Sequence, residues 1–230
     1  MKVGVIPARG GSKRIPRKNI KEFCGRPMIA WSIEKAINSG LFDKVVVSTD
    51  DEEIRELALN FGADVPFMRA RELADDITTT APVISNAIEE CQKSGWDVEY
   101  ACAIYPCAPF ILIADLVESF RQLVDEKLNF IYPVTAYTHP VQRAVRLNAD
   151  GKVEFFFPEN ELVRTQDLEI LYHDAAQFYW GTAHAWKSGM RMHSDGGAFR
   201  IPNWRVVDID NSEDWKRAEV LFKSSLELFV

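Results

Sequence analysis

The sequence predicts a three-layer α/β/α fold, in which a mostly parallel sheet is covered by helices on both faces. Short β-branched segments alternate with longer amphipathic segments over the first part of the chain, which is the pattern of strands joined by crossover helices. No internal repeat, low-complexity tract or composition break marks a linker. We therefore expect residues 1–230 to form a single domain.

The strands and helices of this sheet are expected to alternate along the chain. The predicted strands are residues 3–6, 44–48, 64–67, 100–104 and 130–135. The predicted helices lie near residues 27–39, 52–61, 81–93 and 114–126. Asp50 or Thr49 is the expected N-cap of the second helix, and Gly62 is the expected C-cap residue.

The pattern changes after about residue 137. Segments 145–147 and 153–157 flank a turn-rich connection and predict a hairpin. We interpret residues 137–185, with approximate bounds, as an insertion into the sheet. A strand at residues 205–209 and a helix at about 213–229 are expected to follow. The core face of that helix is predicted to consist of Trp215, Ala218, Phe222, Leu226 and Phe229.

Composition excludes several classes of function. A formal net charge of −7 and an isoelectric point near 5.2 argue against a nucleic-acid or anionic-membrane surface, because both are recognised by an excess of Lys and Arg. No apolar run approaches the ~20 residues that a membrane span needs. The N-terminus is predicted to enter a strand instead of a signal peptide, so together with the lack of a span we expect a cytoplasmic protein. The four cysteines form no Cys-x-x-Cys pair, so we expect reduced thiols.

The positive charge of the chain is concentrated in one early motif. Residues 6–19 read IPARGGSKRIPRKN and directly follow the first predicted strand. Adjacent Gly10 and Gly11 let backbone N–H groups turn toward an anion, and five Lys and Arg side chains surround them. The spacing matches neither the P-loop nor the dinucleotide fingerprint. The motif predicts a phosphate-binding loop, although an ordinary solvated basic loop is the alternative.

Four stretches together resemble a known family. They are the motif at 6–19, VSTDD at 47–51, YHDAAQFYWG at 172–181 and VDIDNSEDW at 207–215. In this order they resemble the cytidylyltransferases of the CMP-sialic acid synthetase type, and the third stretch is similar to the pseudaminic acid cytidylyltransferase branch. The resemblance implies a Rossmann-like nucleotidyltransferase fold, CTP as co-substrate, Mg²⁺ as cofactor, and a homodimer formed through the inserted region.

The resemblance also implies which residues bind the nucleotide. The positions that match are Arg9, Gly10, Gly11, Ser12, Lys18, Asn19, Arg69 and Thr80. Arg9 and Lys18 are expected to meet the charge on the triphosphate during transfer. Thr80 lies in a threonine run before a predicted helix, so an N-cap role is the alternative for any single threonine.

Asp208 and Asp210 are the candidate metal ligands. They lie two residues apart on a predicted strand, so both side chains should leave the same face. Carboxylate oxygens suit Mg²⁺, which is commonly held by one or two carboxylates together with nucleotide phosphates. The resemblance implies the same role, with Asp210 required for catalysis. The alternative is that residues 210–212 only cap the last helix, a role that Asn211 or Ser212 could fill alone.

The sugar site is expected where the loop after strand 100–104 meets the stretch at 172–181. Tyr105 stands where sialic-type enzymes carry glutamine, and the loop holds no carboxylate of the kind that octulosonate enzymes use. His173, Gln177 and Tyr179 are the remaining candidate sugar contacts. The aromatic cluster could instead be a dimer contact. Cys107, on the same loop, lacks a pattern that would supply a base for a nucleophilic thiol.

The sequence thus predicts an enzyme that transfers CMP from CTP to a nonulosonic acid, with pseudaminic acid as the expected sugar. Sialic or legionaminic acid as substrate, and a metal-dependent glycosyltransferase on a similar sheet, are the enzymatic alternatives. A nucleotide-binding regulator without activity is the alternative from another class. No side chain stands out as the general base, and metal-assisted deprotonation of the sugar hydroxyl is the favoured interpretation.

Overall fold

The computed structural model describes the backbone of residues 1–228 and the side chains of residues 1–225. Its strands are β1 Lys2–Pro7, β2 Glu22–Phe23, β3 Arg26–Pro27, β4 Lys44–Ser48, β5 Tyr100–Ile104, β6 Phe130–Ala136, β7 Val145–Leu147, β8 Val153–Phe155, β9 Tyr172–Asp174, β10 Phe178–Thr182 and β11 Gly196–Arg200. Its α-helices are α1 Met28–Asn38, α2 Glu52–Asn60, α3 Thr80–Lys93, α4 Ile113–Asp125, α5 Ala183–Lys187 and α6 Ser212–Leu228.

Seven strands form the main sheet, in the order β11-β6-β10-β5-β1-β4, with β9 paired to β6. β1 lies parallel to both β4 and β5, and β11 lies parallel to β6. β10 runs antiparallel between β5 and β6. Helices cover both faces of the sheet, so the three-layer α/β/α arrangement is confirmed.

Each face of the sheet has its own apolar core. On one face α1, α2 and α4 contribute residues such as Ile33, Ile54 and Leu116 to one buried cluster. On the other face α3 and α5 contribute Ile88 and Trp186 to a second cluster. The expected core face of α6 is confirmed for the residues whose side chains are described, Trp215, Ala218 and Phe222, which pack in a third cluster. The Leu226 side chain and Phe229 lie outside the described residues.

The four helices of the first part begin and end within one residue of their expected bounds. The expected strand at 64–67 is wrong, because only Asp64 makes an isolated bridge, to Val46. Pro66 interrupts that segment and has no N–H to donate to a ladder. The N-cap of α2 is Asp51, one residue after the expected Asp50, and its carboxylate accepts from the Ile54 N–H at 3.0 Å.

The expected strand at 205–209 is also wrong. A 3₁₀ turn at Asn203–Arg205 ends with the Arg205 N–H donating to the Pro202 carbonyl at 3.2 Å, and residues 206–210 have no regular secondary structure. The Arg205 side chain turns inward and pairs with Asp115 of α4. We call residues 206–210 the carboxylate segment. The same-face geometry expected for Asp208 and Asp210 therefore does not come from a strand.

The region outside the main sheet is narrower than the expected insertion at 137–185. The hairpin is confirmed as β7 paired with β8, but β9 and β10 belong to the main sheet. Phe178 and Trp180 pack into the cluster on one face, and Tyr179 packs into the cluster on the other. This alternation is typical of a strand buried on both faces. Sequence reasoning missed this strand, because it assigned the run of aromatic residues to a sugar pocket or a dimer contact. No helix within the described chain is both long and apolar enough to cross a membrane.

Gly181 on β10 generates a testable prediction of stability. A Cβ at this position would lie 2.6 Å from Cδ1 of Phe130 and 2.7 Å from Nε1 of Trp186. We expect Gly181→Ala to lower the free energy of unfolding by about 1–3 kcal/mol, because the added methyl overpacks a buried core. Urea denaturation followed by circular dichroism measures this loss. Gly11→Ala is the matched control, since a Cβ there meets no atom within 4 Å, and an equal loss in both variants would contradict the packing explanation.

Candidate active site

A pocket lies beyond the ends of β1 and β5, the carboxyl edge at which open α/β sheets bind ligands. Its wall comes from the loop after β1 (residues 8–19, the basic loop), from residues around the start of α3, from the loop after β5 and from the carboxylate segment. Most of the predicted site residues line it. These are Arg9, Ser12, Lys18, Asn19, Arg69, Thr80, Tyr105, Asp208 and Asp210.

Asn19 holds the basic loop in place. Its side chain is 6% exposed, its Nδ2 donates to the Arg9 carbonyl at 2.9 Å, and its Oδ1 accepts from the Cys107 thiol at 3.3 Å. Its backbone carbonyl also accepts from the Ile29 N–H at the start of α1. The loop is therefore tied to the sheet edge and to a helix at the same residue.

Arg9 and Lys13 of the basic loop share one carboxylate from another segment, Asp76. Arg9 donates to Asp76 Oδ1 at 2.6 Å and to the Asp75 carbonyl at 2.8 Å, and Lys13 pairs with the second oxygen of Asp76. Lys13 and Arg9 together lower the pKa of Asp76. Sequence reasoning missed Asp76, because an acidic residue in a polar loop carries no periodic or motif signal.

Gly10 and Gly11 are placed differently from each other. The Gly10 N–H donates to Asp50 Oδ1 at 3.0 Å, and a Cβ on Gly10 would lie 2.6 Å from Asp51 Oδ2. Only glycine permits this close approach of the loop to the start of α2. Gly11 is open, since a Cβ there meets nothing within 4 Å. Neither glycine lines the pocket itself, whereas the neighbouring Ser12 does.

Arg69 lines the pocket and is buried against the end of β4. Its Nε donates to Ser48 Oγ at 3.0 Å and its Nη2 to the Ser48 carbonyl, at the end of β4. Burial lowers the pKa of Arg69 to about 10, against the opposing effect of the Asp50 carboxylate. The guanidinium therefore stays charged at neutral pH and supplies a fixed positive group.

The start of α3 faces the same pocket. Thr79 is the N-cap residue and makes no side-chain capping bond, so its side chain does not satisfy the first N–H groups of the helix. Thr80 Oγ1 instead lies 3.0 Å from the Tyr105 hydroxyl. Backbone donors at a helix N-terminus favour an anion, as does the helix dipole.

The carboxylate segment brings Asp208 and Asp210 to the opposite wall. Burial, and then the charge of Asp210, raise the pKa of Asp208, while Lys18 and Arg14 act in the lowering direction. Arg14 pairs with Asp210 at 2.5 Å, and Lys18 Nζ donates to the Ile209 carbonyl between the two aspartates. Two carboxylates on one wall of a pocket supply the oxygen ligands that a divalent cation prefers.

Helix capping does not occupy the two aspartates. Asn211 Oδ1 accepts from the Glu213 and Asp214 N–H groups at 2.8 and 3.1 Å. Asp214 Oδ2 in turn accepts from the Asp210 and Asn211 N–H groups at 3.0 and 3.1 Å. The capping role considered for Asp210 is therefore filled by its neighbours, and its carboxylate lines the pocket, where it pairs with Arg14.

Of the four predicted sugar contacts, only Tyr105 lines the pocket. The Tyr179 hydroxyl donates to Asp174 Oδ2 at 2.8 Å, and the Tyr179 ring, 2% exposed, lies behind that of Tyr105 with centroids 5.1 Å apart. His173 Nδ1 lies 2.9 Å from the Asp174 carbonyl. Gln177 is 3% exposed and its amide donates to the Arg205 carbonyl at 2.7 Å.

Ala176 enters the pocket wall in place of these side chains. Its φ of 52° is in the left-handed region, and its N–H donates to Asp174 Oδ1 at 2.7 Å. An aspartate that accepts from the N–H two residues on is a known way to hold such a turn. Sequence reasoning could not single out Ala176, because an alanine carries no signal of this conformation.

Cys107 is unsuited to act as a nucleophile. Burial raises the pKa of the Cys107 thiol to about 12, with Lys18 opposing and Asp208 adding to the shift. At neutral pH the group is a neutral thiol that donates to Asn19, and the thiolate is the reactive form. Its role in the pocket is packing.

Comparison with known proteins identifies relatives over almost the entire chain. Residues 3–187 match the family model described as Cytidylyltransferase. A pseudaminic acid cytidylyltransferase of Campylobacter jejuni subsp. jejuni serotype O:2 is 42% identical over 97% of both chains. A CMP-N,N'-diacetyllegionaminic acid synthase of Legionella pneumophila is 28% identical over 99% of both chains.

A likeness in three dimensions is found with a solved CMP:2-keto-3-deoxy-manno-octonic acid synthetase complexed with CTP. The TM-score is 0.72, and the match covers 97% of this chain and 99% of the other. At 17% sequence identity this likeness establishes the fold alone. The fold of that structure is the Rossmann-like nucleotidyltransferase fold that the sequence predicts.

The ion pairs of Asp76 generate a prediction about anion binding. We expect Asp76→Asn to tighten the binding of inorganic triphosphate by about 2–5-fold, because an exposed carboxylate that competes for Arg9 and Lys13 is removed. Isothermal titration calorimetry at low salt measures the Kd. Asp167→Asn, which breaks an exposed pair with Arg164 away from the pocket, is the control. Weaker binding in Asp76→Asn would mean that this carboxylate orders the basic loop for the ligand.

Proposed function

The chain belongs to the cytidylyltransferase family, and from that premise we propose that it transfers CMP from CTP to the nonulosonic acid sugar pseudaminic acid, releasing pyrophosphate. One observation carries the proposal. A cationic loop, a helix N-terminus and two carboxylates line a single pocket at the carboxyl edge of the sheet. A nucleoside triphosphate needs these three chemistries together.

The reaction is a displacement at the α-phosphorus of CTP. The anomeric hydroxyl of the sugar attacks this phosphorus, its proton leaves, and the bond to pyrophosphate breaks. Arg9 and Lys18 are proposed to meet the negative charge that grows on the departing pyrophosphate, with Ser12 and Asn19 shaping the binding loop. Fixed charges that face developing charge cost no reorganisation during the reaction, which is the main source of rate in such transfers.

Asp208 and Asp210 are proposed to hold Mg²⁺ together with the phosphates of CTP. The carboxylate oxygens of Asp208 and Asp210, which both line the pocket, fit a divalent cation. Across the described residues no group of three or more His, Cys, Asp or Glu is arranged to hold a metal ion, so the remaining ligands would be phosphate and water. When bound, the ion would neutralise phosphate charge and acidify the attacking hydroxyl.

Asp210→Asn tests this assignment. We expect the variant to keep its fold and lose activity by about 10²-fold or more, because a site with one anionic ligand fewer competes poorly with water for Mg²⁺. Pyrophosphate release at limiting Mg²⁺ is the measurement. Arg14→Ala is the matched control, since it removes the ion pair of Asp210 and leaves the carboxylate in place. Equal losses in both variants would assign the effect to the ion pair.

The identity of the sugar is proposed from the relatives and from the Tyr105 side of the pocket. The Campylobacter relative supports pseudaminic acid, and the ring of Tyr105 offers apolar surface to a deoxy sugar. The Legionella relative is named for legionaminic acid, so that sugar and sialic acid are the alternatives. The Tyr105 hydroxyl contacts Thr80, which ties the sugar side of the pocket to the start of α3.

A panel of sugars tests the substrate. We expect kcat/KM to be highest for pseudaminic acid, up to about 10²-fold lower for legionaminic and N-acetylneuraminic acids, and negligible for 3-deoxy-octulosonate. Pyrophosphate release with CTP is measured for each. Preference for N-acetylneuraminic acid would overturn the sugar assignment alone. CTP binding without turnover on any sugar would favour the alternative of a non-catalytic regulator.

We further propose a cytoplasmic homodimer formed through the region that carries β7 and β8. This region exposes large apolar side chains, with Leu147 71%, Val153 63% and Leu162 93% exposed, and exposed apolar groups in one region are typical of an interface. The four cysteines are free thiols, as expected of a cytoplasmic protein.

The dimer is tested by Leu147→Glu. We expect a shift from dimer toward monomer in sedimentation velocity, because a charge placed in an apolar interface must be desolvated on association. Leu59→Glu is the matched control, since Leu59 is 44% exposed but lies on α2. A wild-type protein that sediments as a monomer at micromolar concentration would exclude the proposed dimer.

A further inference from the structure

A buried ion pair joins Arg205, the residue directly before the carboxylate segment, to Asp115 of α4. The two side chains are 7% and 11% exposed, while in every other ion pair found among the described residues at least one partner is more than 25% exposed. Arg205 Nη1 donates to Asp115 Oδ2, and Asp115 lies in the first turn of α4. Burying two charges costs free energy that their attraction seldom more than balances.

This pair is adjacent to the segment that most needs to be held. The carboxylate segment begins at the residue after Arg205 and has no regular secondary structure, so no ladder or helix fixes the positions of its aspartates. The Arg205 backbone is held as well, because its carbonyl accepts from Gln177 Nε2 at 2.7 Å. Gln177 directly follows Ala176 in the sequence, and Ala176 lines the pocket.

The far end of the segment is fastened by other contacts. Lys18 Nζ donates to the Ile209 carbonyl, and Asp214 accepts from the Asp210 N–H. Arg205 is thus the inner anchor of a short irregular segment whose outer end is held by Lys18 and Asp214. Asp208 and Asp210 therefore lie between two anchored ends of this segment.

We propose that Arg205, Asp115 and Gln177 are positioning residues that set the metal-binding geometry of Asp208 and Asp210. This inference rests on the proposed function, because it takes the two aspartates as the metal ligands. Gln177, predicted from the sequence to contact the sugar, acts instead through the Arg205 backbone. Removal of residues that orient metal ligands typically lowers metal affinity by about 10–100-fold.

The test separates positioning from stability. The double variant Arg205→Met/Asp115→Leu replaces both charges by apolar groups of similar size, a change that is often neutral or stabilising for the fold. We expect its Tm to stay near that of the wild type while its affinity for Mn²⁺, measured by electron paramagnetic resonance with CTP present and sugar absent, falls about 10-fold or more. Wild-type Mn²⁺ affinity in the folded double variant would overturn the proposal.

Three further variants make every outcome decisive. Arg26→Met/Glu34→Leu removes a half-buried ion pair outside the pocket and should leave Mn²⁺ affinity unchanged. Asp208→Asn tests the metal assignment itself, and unchanged affinity there would refute the proposed metal site while leaving cytidylyl transfer open. If the Arg205→Met/Asp115→Leu protein does not fold, Gln177→Met decides. Loss of Mn²⁺ affinity in Gln177→Met supports positioning, and unchanged affinity overturns it.

Discussion

The parallel pairing of β1 with β4 and β5 is the constraint on which the rest of the site depends. Because these three strands run in one direction, they end at the same edge of the sheet. The pairing continues past β1, where the Ala8 N–H donates to the Ser48 carbonyl at 2.9 Å. The loops that follow the three strands are far apart in sequence and meet only because of this common edge.

That edge concentrates charge of one sign, and the molecule compensates it locally. Arg9, Arg14 and Arg17 pair with Asp76, Asp210 and Asp51, each from a different segment of the chain. The pairs of Arg9 and Arg14 line the pocket and are exposed. Exposed pairs contribute little to stability, so a polyanionic ligand would displace these two at small cost. The carboxylates balance the charge of the basic loop in the absence of a ligand, and they compete with an anionic ligand only weakly.

The interior is organised by a different kind of polar contact. Arg205, Asp115 and Gln177 are buried. Water could replace their hydrogen bonds only if the interior opened. Polar groups in such a place favour one arrangement of the chain over its alternatives. An irregular segment can therefore present two aspartates at a defined place, a task that regular strand geometry was expected to perform.

The sequence by itself determined the residue types of the site and most of the regular elements. Periodicity and charge are local properties, and they predicted α1 to α4, the basic loop and the aspartate pair. Tertiary structure decided which groups meet. Arg9 and Asp76 are 67 positions apart, and Asp115 and Arg205 are 90 apart, so no local pattern records either contact. Tertiary structure also made residues 178–180 part of a central strand. Their side chains alternate between two apolar clusters, and both clusters exist only when helices cover both faces of the sheet.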